Sequence, residues 1–311
     1  MSAQTALRPR APCEHGPLYR IVVSPKDDPY TSRVQRVYDD SPATWQQVLG
    51  PQLWFQFGLY PDLHADTSLD DAGRLYLDHQ LQLAGFDATH PPRAILDVGC
   101  GWGAPLIHLA DRFPGCLTLD GVNISAPQLE HAQHQMMLRG LQPRIALYLC
   151  NAQDIDLLPR DNRPYDLILY RGSITHFPYS VLEQSLAHAR TALHPDGKLV
   201  ISDNLYNLPL SSYRSPIADE TDRIACGHRK TVDYLRDTLQ AAGFRIDDLR
   251  VMPSAAETCR WLHDVRRNIE QHLPSARPAA IEELYVSCEN QILAIQRGLY
   301  SVYSIVASPR L

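Results

Sequence analysis

The residues best suited to hold a ligand lie in the glycine-rich segment that runs from Leu96 to Gly103. Its glycines follow an apolar stretch as Gly-x-Gly-x-Gly, which allows a tight strand-to-helix turn and a close backbone approach to a bound molecule. The dinucleotide fingerprint would need glycine where Ala104 stands, and a P-loop would need Lys and Ser or Thr after its last glycine. The spacing therefore predicts a backbone-lined ligand site and disfavours NAD-dependent oxidoreductases and phosphate-binding P-loops.

This segment resembles the first motif of class I S-adenosylmethionine-dependent methyltransferases. The resemblance is to the branch with tocopherol methyltransferases, cyclopropane fatty acid synthases and prenyl diphosphate C-methyltransferases, and it covers residues 34–310. It implies S-adenosylmethionine as the cofactor, with the glycines along its methionyl group and the acid orienting the turn. The residues assigned to this part of the cofactor site are Asp97, Gly99, Cys100, Gly101 and Gly103.

The second predicted strand ends at Asn123, where many relatives place an acid that binds the ribose hydroxyls. An amide offers one acceptor and one donor, so Asn123 can serve with one hydrogen bond reversed. Gln128 matches a position that adds a ribose contact in this branch, and Ile124 is assigned to the same site. The alternative is that Asn123 and Ser125 only cap the helix that follows.

Two later stretches are assigned to the cofactor by the same resemblance. Asn151, Ala152 and Gln153 stand where relatives meet the adenine, although relatives often carry an acid at the position of Asn151. An ordinary polar turn is the alternative for these three residues. Arg171 ends the fourth strand and begins a stretch that resembles the segment beside the sulfonium, in which relatives commonly have Glu where Gly172 stands.

Methyl transfer from a sulfonium is an in-line displacement, so much of the acceleration can come from placing the acceptor against the methyl group. A general base is needed only if the acceptor loses a proton. His176 is the candidate base because the pKa of histidine lies near working pH; the alternative is a structural histidine. The acid pairs Asp39-Asp40 and Asp70-Asp71 lack the third acid of a diphosphate-binding motif, so we predict no metal site.

The aromatic segment 54–60 resembles a stretch that closes over the cofactor in the same branch. Its rings could surround a substrate cation, which aromatic faces stabilise, and Tyr60 is counted with His176 among the candidate catalytic residues. Plain core packing is the alternative for the whole segment. The predicted substrate-binding residues are Trp54, Phe57, Tyr206 and Trp261.

The elements that must position these residues alternate between strands and helices from Pro92 onward. This pattern predicts an α/β, Rossmann-like, doubly wound and mostly parallel seven-stranded sheet. The last strand, Tyr300–Ala307, arrives after two helices and is expected to run antiparallel in an edge hairpin. The predicted parts are a flexible N-terminal arm (1–30), a helical cap (31–90), and a cofactor-binding core (91–311) with a lid (205–230) and a helical insertion (256–298).

The bulk composition is that of an ordinary globular protein, with 44% hydrophobic and 21% charged residues in a chain of 311 and a net charge of −6. No block of basic residues favours a nucleic acid, and no apolar run favours stable membrane insertion. Seven cysteines without a Cys-x-x-Cys spacing predict reduced thiols and a cytoplasmic protein. We leave a homodimer open.

The predicted function is S-adenosylmethionine-dependent methyl transfer to a small-molecule acceptor of specialised metabolism. We prefer C-methylation of a prenyl or lipid-like substrate, because of the branch resemblance and the aromatic segment. O-methylation or N-methylation of a specialised metabolite stays open. A further alternative is a cyclase or isomerase that binds the cofactor and transfers no methyl group.

Overall fold

A computed structural model describes residues 19–24, 29–159, 163–208 and 225–310 of the chain. The strands are β1 (Arg20–Ile21), β2 (Ala94–Val98), β3 (Thr118–Asn123), β4 (Ile145–Leu149), β5 (Tyr165–Arg171), β6 (Leu193–Tyr206), β7 (Phe244–Val251) and β8 (Tyr300–Pro309). The helices are α1 (Pro29–Val37), α2 (Pro42–Leu49), α3 (Leu69–Leu83), α4 (Ala104–Arg112), α5 (Ala126–Leu138), α6 (Tyr179–Ala192), α7 (Val232–Ala241), α8 (Ala255–His272) and α9 (Ala279–Gln296). A short 3₁₀ helix spans Ala152–Leu157.

The strands form one sheet in the order β1-β4-β3-β2-β5-β6-β8-β7. Strands β1 to β6 pair in parallel, and β8 runs antiparallel to both of its neighbours. The predicted α/β, mostly parallel architecture is confirmed. Because the carboxyl ends of parallel strands share one edge, the turns that follow β2, β3 and β5 lie together there.

Two details of the predicted sheet are wrong. The sheet has eight strands rather than seven, because Arg20–Ile21 pairs with Tyr148–Leu149 at one edge. This two-residue strand is too short to leave a periodic pattern in the sequence. The last strand is also not in an edge hairpin: β8 lies between β6 and β7, and β7 forms the edge.

Burial explains why the central strands carry continuous apolar sequence. All five residues of β2 are buried, as expected for a parallel strand that is covered by helices on both faces. Ile95 and Leu96 belong to different buried apolar clusters, since successive side chains point to opposite faces of the sheet. The sheet therefore separates two layers of core, and β2 holds the glycine-rich turn at the middle of its edge.

The predicted cap contains α1, α2 and α3, joined by the non-helical stretch that carries the aromatic segment. Of the predicted arm, residues 1–18 and 25–28 lie outside the described residues, and so do residues 209–224 of the predicted lid. The predicted helical insertion corresponds to α8 and α9. Among the described helices, none is long and apolar enough to cross a membrane.

Candidate functional site

The turn after β2 is built around three glycines with positive φ, which are 90° at Gly99, 54° at Gly101 and 84° at Gly103. A Cβ at Gly99 would lie 2.6 Å from Cβ of Ser173, and a Cβ at Gly103 would lie 2.8 Å from Cβ of Ala132. A Cβ at Gly101 would meet nothing within 4 Å. Gly99 and Gly103 therefore permit close packing, whereas Gly101 leaves open space beside the turn.

That space belongs to a cavity between the carboxyl edge of the sheet and the cap. The turn, the ends of β3 and β5, and the loop after β5 supply one side, and the cap supplies the other. The lining residues are Val34, Tyr38, Leu53, Trp54, Phe55, Gln56, Asp97, Gly99, Cys100, Gly101, Trp102, Pro105, Asn123, Ile124, Gln128, Arg171, Gly172, Ser173, His176 and Phe177. Most residues predicted for the methionyl and ribose sites thus line one cavity, but Gly103 does not.

Two oppositely charged side chains line the cavity and are 94% or more buried: Asp97 and Arg171. Arg171 donates from Nε to Oε1 of Gln80 at 3.0 Å. Its two terminal nitrogens, and Oδ2 of Asp97, have no hydrogen-bond partner within the described part of the chain. Burial raises the pKa of Asp97 to about 7 against the effect of Arg171, and burial lowers the pKa of Arg171 to about 10.

The two amides predicted for the ribose site meet at the end of β3. Nδ2 of Asn123 donates to Oε1 of Gln128 at 2.8 Å, and Oδ1 of Asn123 accepts from the backbone N–H of Ile124 at 2.9 Å. Ser125, rather than Asn123, caps α5, because its Oγ accepts from the backbone N–H of Gln128. The cap alternative therefore describes Ser125, while Asn123 faces the cavity.

The residues predicted for the adenine lie under α1, outside the cavity lining. Oδ1 of Asn151 accepts from the Tyr30 hydroxyl and from the backbone N–H of Gln153, both at 3.2 Å. Asn151, Ala152 and Gln153 are all buried. On the ribose side, Nε2 of Gln35 donates to the carbonyl oxygen of Ile124 at 2.7 Å. Helix α1 therefore covers the cleft along its nucleoside end, and the adenine assignment stays a prediction.

His176 lies in the loop after β5, where it is buried and lines the cavity. Its Nδ1 is 3.1 Å from the carbonyl oxygen of Ala225. A carbonyl only accepts, so Nδ1 carries the hydrogen and Nε2 is left as an unprotonated acceptor. Burial lowers the pKa of His176 to about 4, helped by the positive charges of Lys230 and Arg229. The side chain is therefore neutral at pH 7.

An aromatic wall, defined as Tyr38, Phe55 and Trp102, closes the cavity opposite the sheet edge. The Tyr38 ring centroid lies 5.6 Å from that of Trp102, 6.2 Å from Phe55 and 6.3 Å from His176. Sequence reasoning missed Tyr38 and Trp102 as site residues. Tyr38 had been assigned only to an apolar helix face, and Trp102 stands in the glycine segment whose spacing drew attention to its neighbours.

Gln56 is a second cavity residue that sequence reasoning missed. Its Nε2 donates to Oγ of Ser202 at 3.2 Å, and its Oε1 would lie 2.3 Å from a Cβ placed on Gly172. The amide thus occupies the room that a side chain at 172 would need. The loss of Glu at this position, noted from the sequence, is therefore accompanied by an amide that reaches in from the cap.

Trp54 is the one predicted substrate-binding residue that lines the cavity. Phe57 packs against Trp261 with a centroid separation of 5.2 Å, and Tyr60 lies under the guanidinium of Arg260 at 4.2 Å. Tyr206 contacts the guanidinium of Arg229 at 5.5 Å. These four side chains are buried in packing contacts beside α8 and β6, and their predicted catalytic and substrate roles stay predictions.

Comparison with known proteins agrees with this site. The chain matches a family model described as a methyltransferase domain over residues 95–197, which includes the glycine turn and β5. It is 32% identical to Methyltransferase GfsG of Streptomyces halstedii over 147 residues, which is 47% of this chain and 49% of that protein. The chain therefore spans about half the length of this relative.

Two further matches cover most of the chain. The 27-O-demethylrifamycin SV methyltransferase of Amycolatopsis mediterranei is 27% identical over 80% of this chain and 89% of its own length. The cyclopropane synthase MmaA2 from Mycobacterium tuberculosis has a TM-score of 0.76 at 19% identity, over 90% of this chain and 98% of that chain. This last likeness shows the fold alone. With the family model on the cofactor turn, the chain belongs to the class I S-adenosylmethionine-dependent methyltransferases.

Proposed function

We propose that the protein transfers the methyl group of S-adenosylmethionine to a small, mainly apolar acceptor, and that the reacting atom is an alkene carbon of a prenyl or lipid-like molecule. The observation that carries the proposal is the composition of the cavity. The glycine turn, the neutral His176 and the aromatic wall all border the same space. A cofactor bound along the turn would therefore face a base and three aromatic rings.

The cavity fits the cofactor in two respects. Asp97 and Arg171 offer unpaired atoms of opposite charge, which match the ammonium and carboxylate of an amino-acid group. The open space beside Gly101 gives a chain room to pass along the backbone. We assign the ribose to Asn123 and Gln128, whose amides supply both donors and acceptors.

S-adenosylmethionine, when bound, supplies an electrophilic methyl group on a sulfonium. The bond from sulfur to methyl breaks, and the electron pair of that bond stays on sulfur. The alkene electron pair forms the new carbon–carbon bond, and the resulting acceptor cation loses a proton to Nε2 of His176. The aromatic wall stabilises the cation by about 0.5–2 kcal/mol for each ring face that it meets.

A hydroxyl acceptor is the second candidate. The observation that favours it is the neutral His176, because an unprotonated Nε2 can take the proton of a hydroxyl as the methyl group arrives. The name of the Amycolatopsis relative also points to O-methylation by that protein. The aromatic wall contributes less to this reaction, since no acceptor carbocation forms.

The test is mass spectrometry and NMR of products from S-adenosylmethionine with a ¹³C-labelled methyl group. The protein is incubated with neutral prenyl lipids, prenyl diphosphates, phenols and amines, and the labelled methyl is located in each product. We expect a labelled carbon–carbon bond and a His176→Gln variant that binds cofactor normally but forms product at least tenfold more slowly. Label found only on oxygen or nitrogen would overturn the choice of carbon. Absence of label in any product, with cofactor bound, would overturn methyl transfer.

A further inference from the structure

The loop that carries His176 is held by two buried groups of opposite charge. Oδ2 of Asp203, in β6, accepts from the backbone N–H of Thr175 at 3.2 Å. Nζ of Lys230 donates to the carbonyl oxygens of Ile174, at 2.5 Å, and of Phe177. Both carbonyls flank His176, so the ammonium closes the two ends of a four-residue turn, residues 174–177.

Lys230 is fully buried, with an exposed fraction of 0%. Removing an ammonium from water is costly unless its donors are satisfied, so a buried lysine that binds two carbonyls of one turn is an unusual use of a charge. Its stem also carries the ammonium past the Tyr179 ring, 5.3 Å from the ring centroid. The position therefore selects for a long side chain with several donors.

The stretch that contains Lys230, residues 225–230, makes two further contacts with the same turn. The carbonyl oxygen of Ala225 accepts from Nδ1 of His176, and the backbone N–H of His228 donates to the carbonyl oxygen of Thr175 at 3.1 Å. The ring tautomer of His176 thus depends on where this stretch places Ala225. Lys230 ties the end of the stretch to the turn.

We propose that Lys230 is a positioning residue, which locks the 174–177 turn against residues 225–230 so that His176 keeps Nδ1–H on Ala225 and turns Nε2 to the methyl acceptor. The inference rests on the proposed role of His176 as the base. Nothing about the chemistry requires Lys230 to touch the substrate. Its effect reaches the reaction through the tautomer and the orientation of the imidazole.

Several charged or titratable groups face His176 and must be considered with it. Residues 225–230 contribute Lys230, Arg229 and His228, each of which lowers the pKa of the ring. Helix α1 contributes the Tyr38 phenol, and β6 contributes Asp203 behind Thr175. Loss of Lys230 removes both a charge and the two carbonyl contacts, whereas loss of Arg229 removes only a charge, because Arg229 donates to Asn204 and not to the turn.

The experiment is ¹⁵N NMR of the histidine rings of the whole protein with S-adenosylhomocysteine bound, with the His176 signals identified by their absence in His176→Gln. We expect the wild-type ring to be the neutral Nδ1–H tautomer from pH 8 down to below about pH 5. In Lys230→Met we expect mixed tautomers and a pKa at least one unit higher. Lys230→Arg should restore the single tautomer. The charge control Arg229→Gln should raise the pKa and keep the tautomer.

The same variants are assayed for S-adenosylhomocysteine affinity and for turnover. We expect Lys230→Met to bind the product with unchanged affinity and to lose at least tenfold in kcat at pH 7, with rescue by Lys230→Arg. A folded Lys230→Met protein with the wild-type tautomer and pKa would overturn the proposal. If that variant does not fold, the wild-type spectrum decides: a mixture of tautomers, or a pKa near 6.5, also overturns it. The NMR result is independent of methyl transfer, so failure of the proposed function would be recognised separately.

Discussion

Arg171 places two donor nitrogens without partners beside an equally unpaired carboxylate oxygen of Asp97. We expect Arg171→Met to weaken binding of S-adenosylhomocysteine about tenfold to a hundredfold, because a hydrogen bond to a charged group contributes about 1.5–3 kcal/mol. Methylthioadenosine lacks the amino-acid end, so its affinity should be unchanged. Calorimetric titration of both ligands measures the difference. An equal loss for the two ligands would remove Arg171 from the carboxylate site.

Gly101 is the one glycine of the turn at which a Cβ would enter open space. We expect Gly101→Val to abolish binding of S-adenosylhomocysteine, since the branched side chain would fill the room assigned to the methionyl group. Gly140 is a matched control, because its φ of 66° is also positive and a Cβ there would also meet nothing within 4 Å. Gly140→Val should carry the same backbone strain and keep its affinity. Wild-type affinity in folded Gly101→Val would contradict this placement.

At the scale of residues, the sequence predicted the groups whose spacing is local. The glycine turn, Asn123 and Gln128 could be assigned because each stands at a fixed distance from the end of a strand. Tyr38 and Gln56 could not, because they reach the cavity only when the cap folds over the sheet edge. The neutral state of His176 was also beyond the sequence, since it depends on burial and on Ala225, which is 49 residues away.

At the scale of elements, α1 connects the cap to both flanks of the proposed nucleoside site. Tyr30 donates to Asn151, Gln35 donates to Ile124, and Tyr38 lines the cavity. We expect bound S-adenosylhomocysteine to slow amide hydrogen exchange in residues 29–37, because α1 would pack on the ligand. Hydrogen–deuterium exchange with mass spectrometry measures this effect, and α9, far along the chain, is the internal reference. Equal exchange of α1 with and without ligand would show that α1 does not cover it.

The strands and helices of the core were predicted closely because their signals are periodic. The predicted strands at 94–98, 165–171 and 244–251 have the observed bounds. The order of strands was less accessible. A strand at the end of the chain can join an edge or insert between two others, and the alternation in its sequence is the same in both cases. Insertion of β8 brings its buried face against β6 and β7, which is a property of packing.

At the scale of the whole molecule, His176 couples stability to pH. Its pKa in the folded state is about 4, against about 6.5 when unfolded, so the unfolded chain binds the proton first as the pH falls. The stability associated with the neutral ring is therefore complete above pH 6.5 and is lost between pH 6.5 and 4. We expect denaturant titrations to show a free energy of unfolding that falls less steeply over this range in His176→Gln, by as much as about 3 kcal/mol. Parallel curves would mean that the ring titrates normally in the folded protein.

The central claim is that a single cavity brings the cofactor and the methyl acceptor together. A crystal structure of the protein with S-adenosylhomocysteine tests it most directly. The account predicts the amino-acid end between Asp97 and Arg171, the ribose at Asn123 and Gln128, and the sulfur facing the aromatic wall and Nε2 of His176. A sulfur that points away from His176 and the wall, or a ligand bound outside this cavity, would contradict the account.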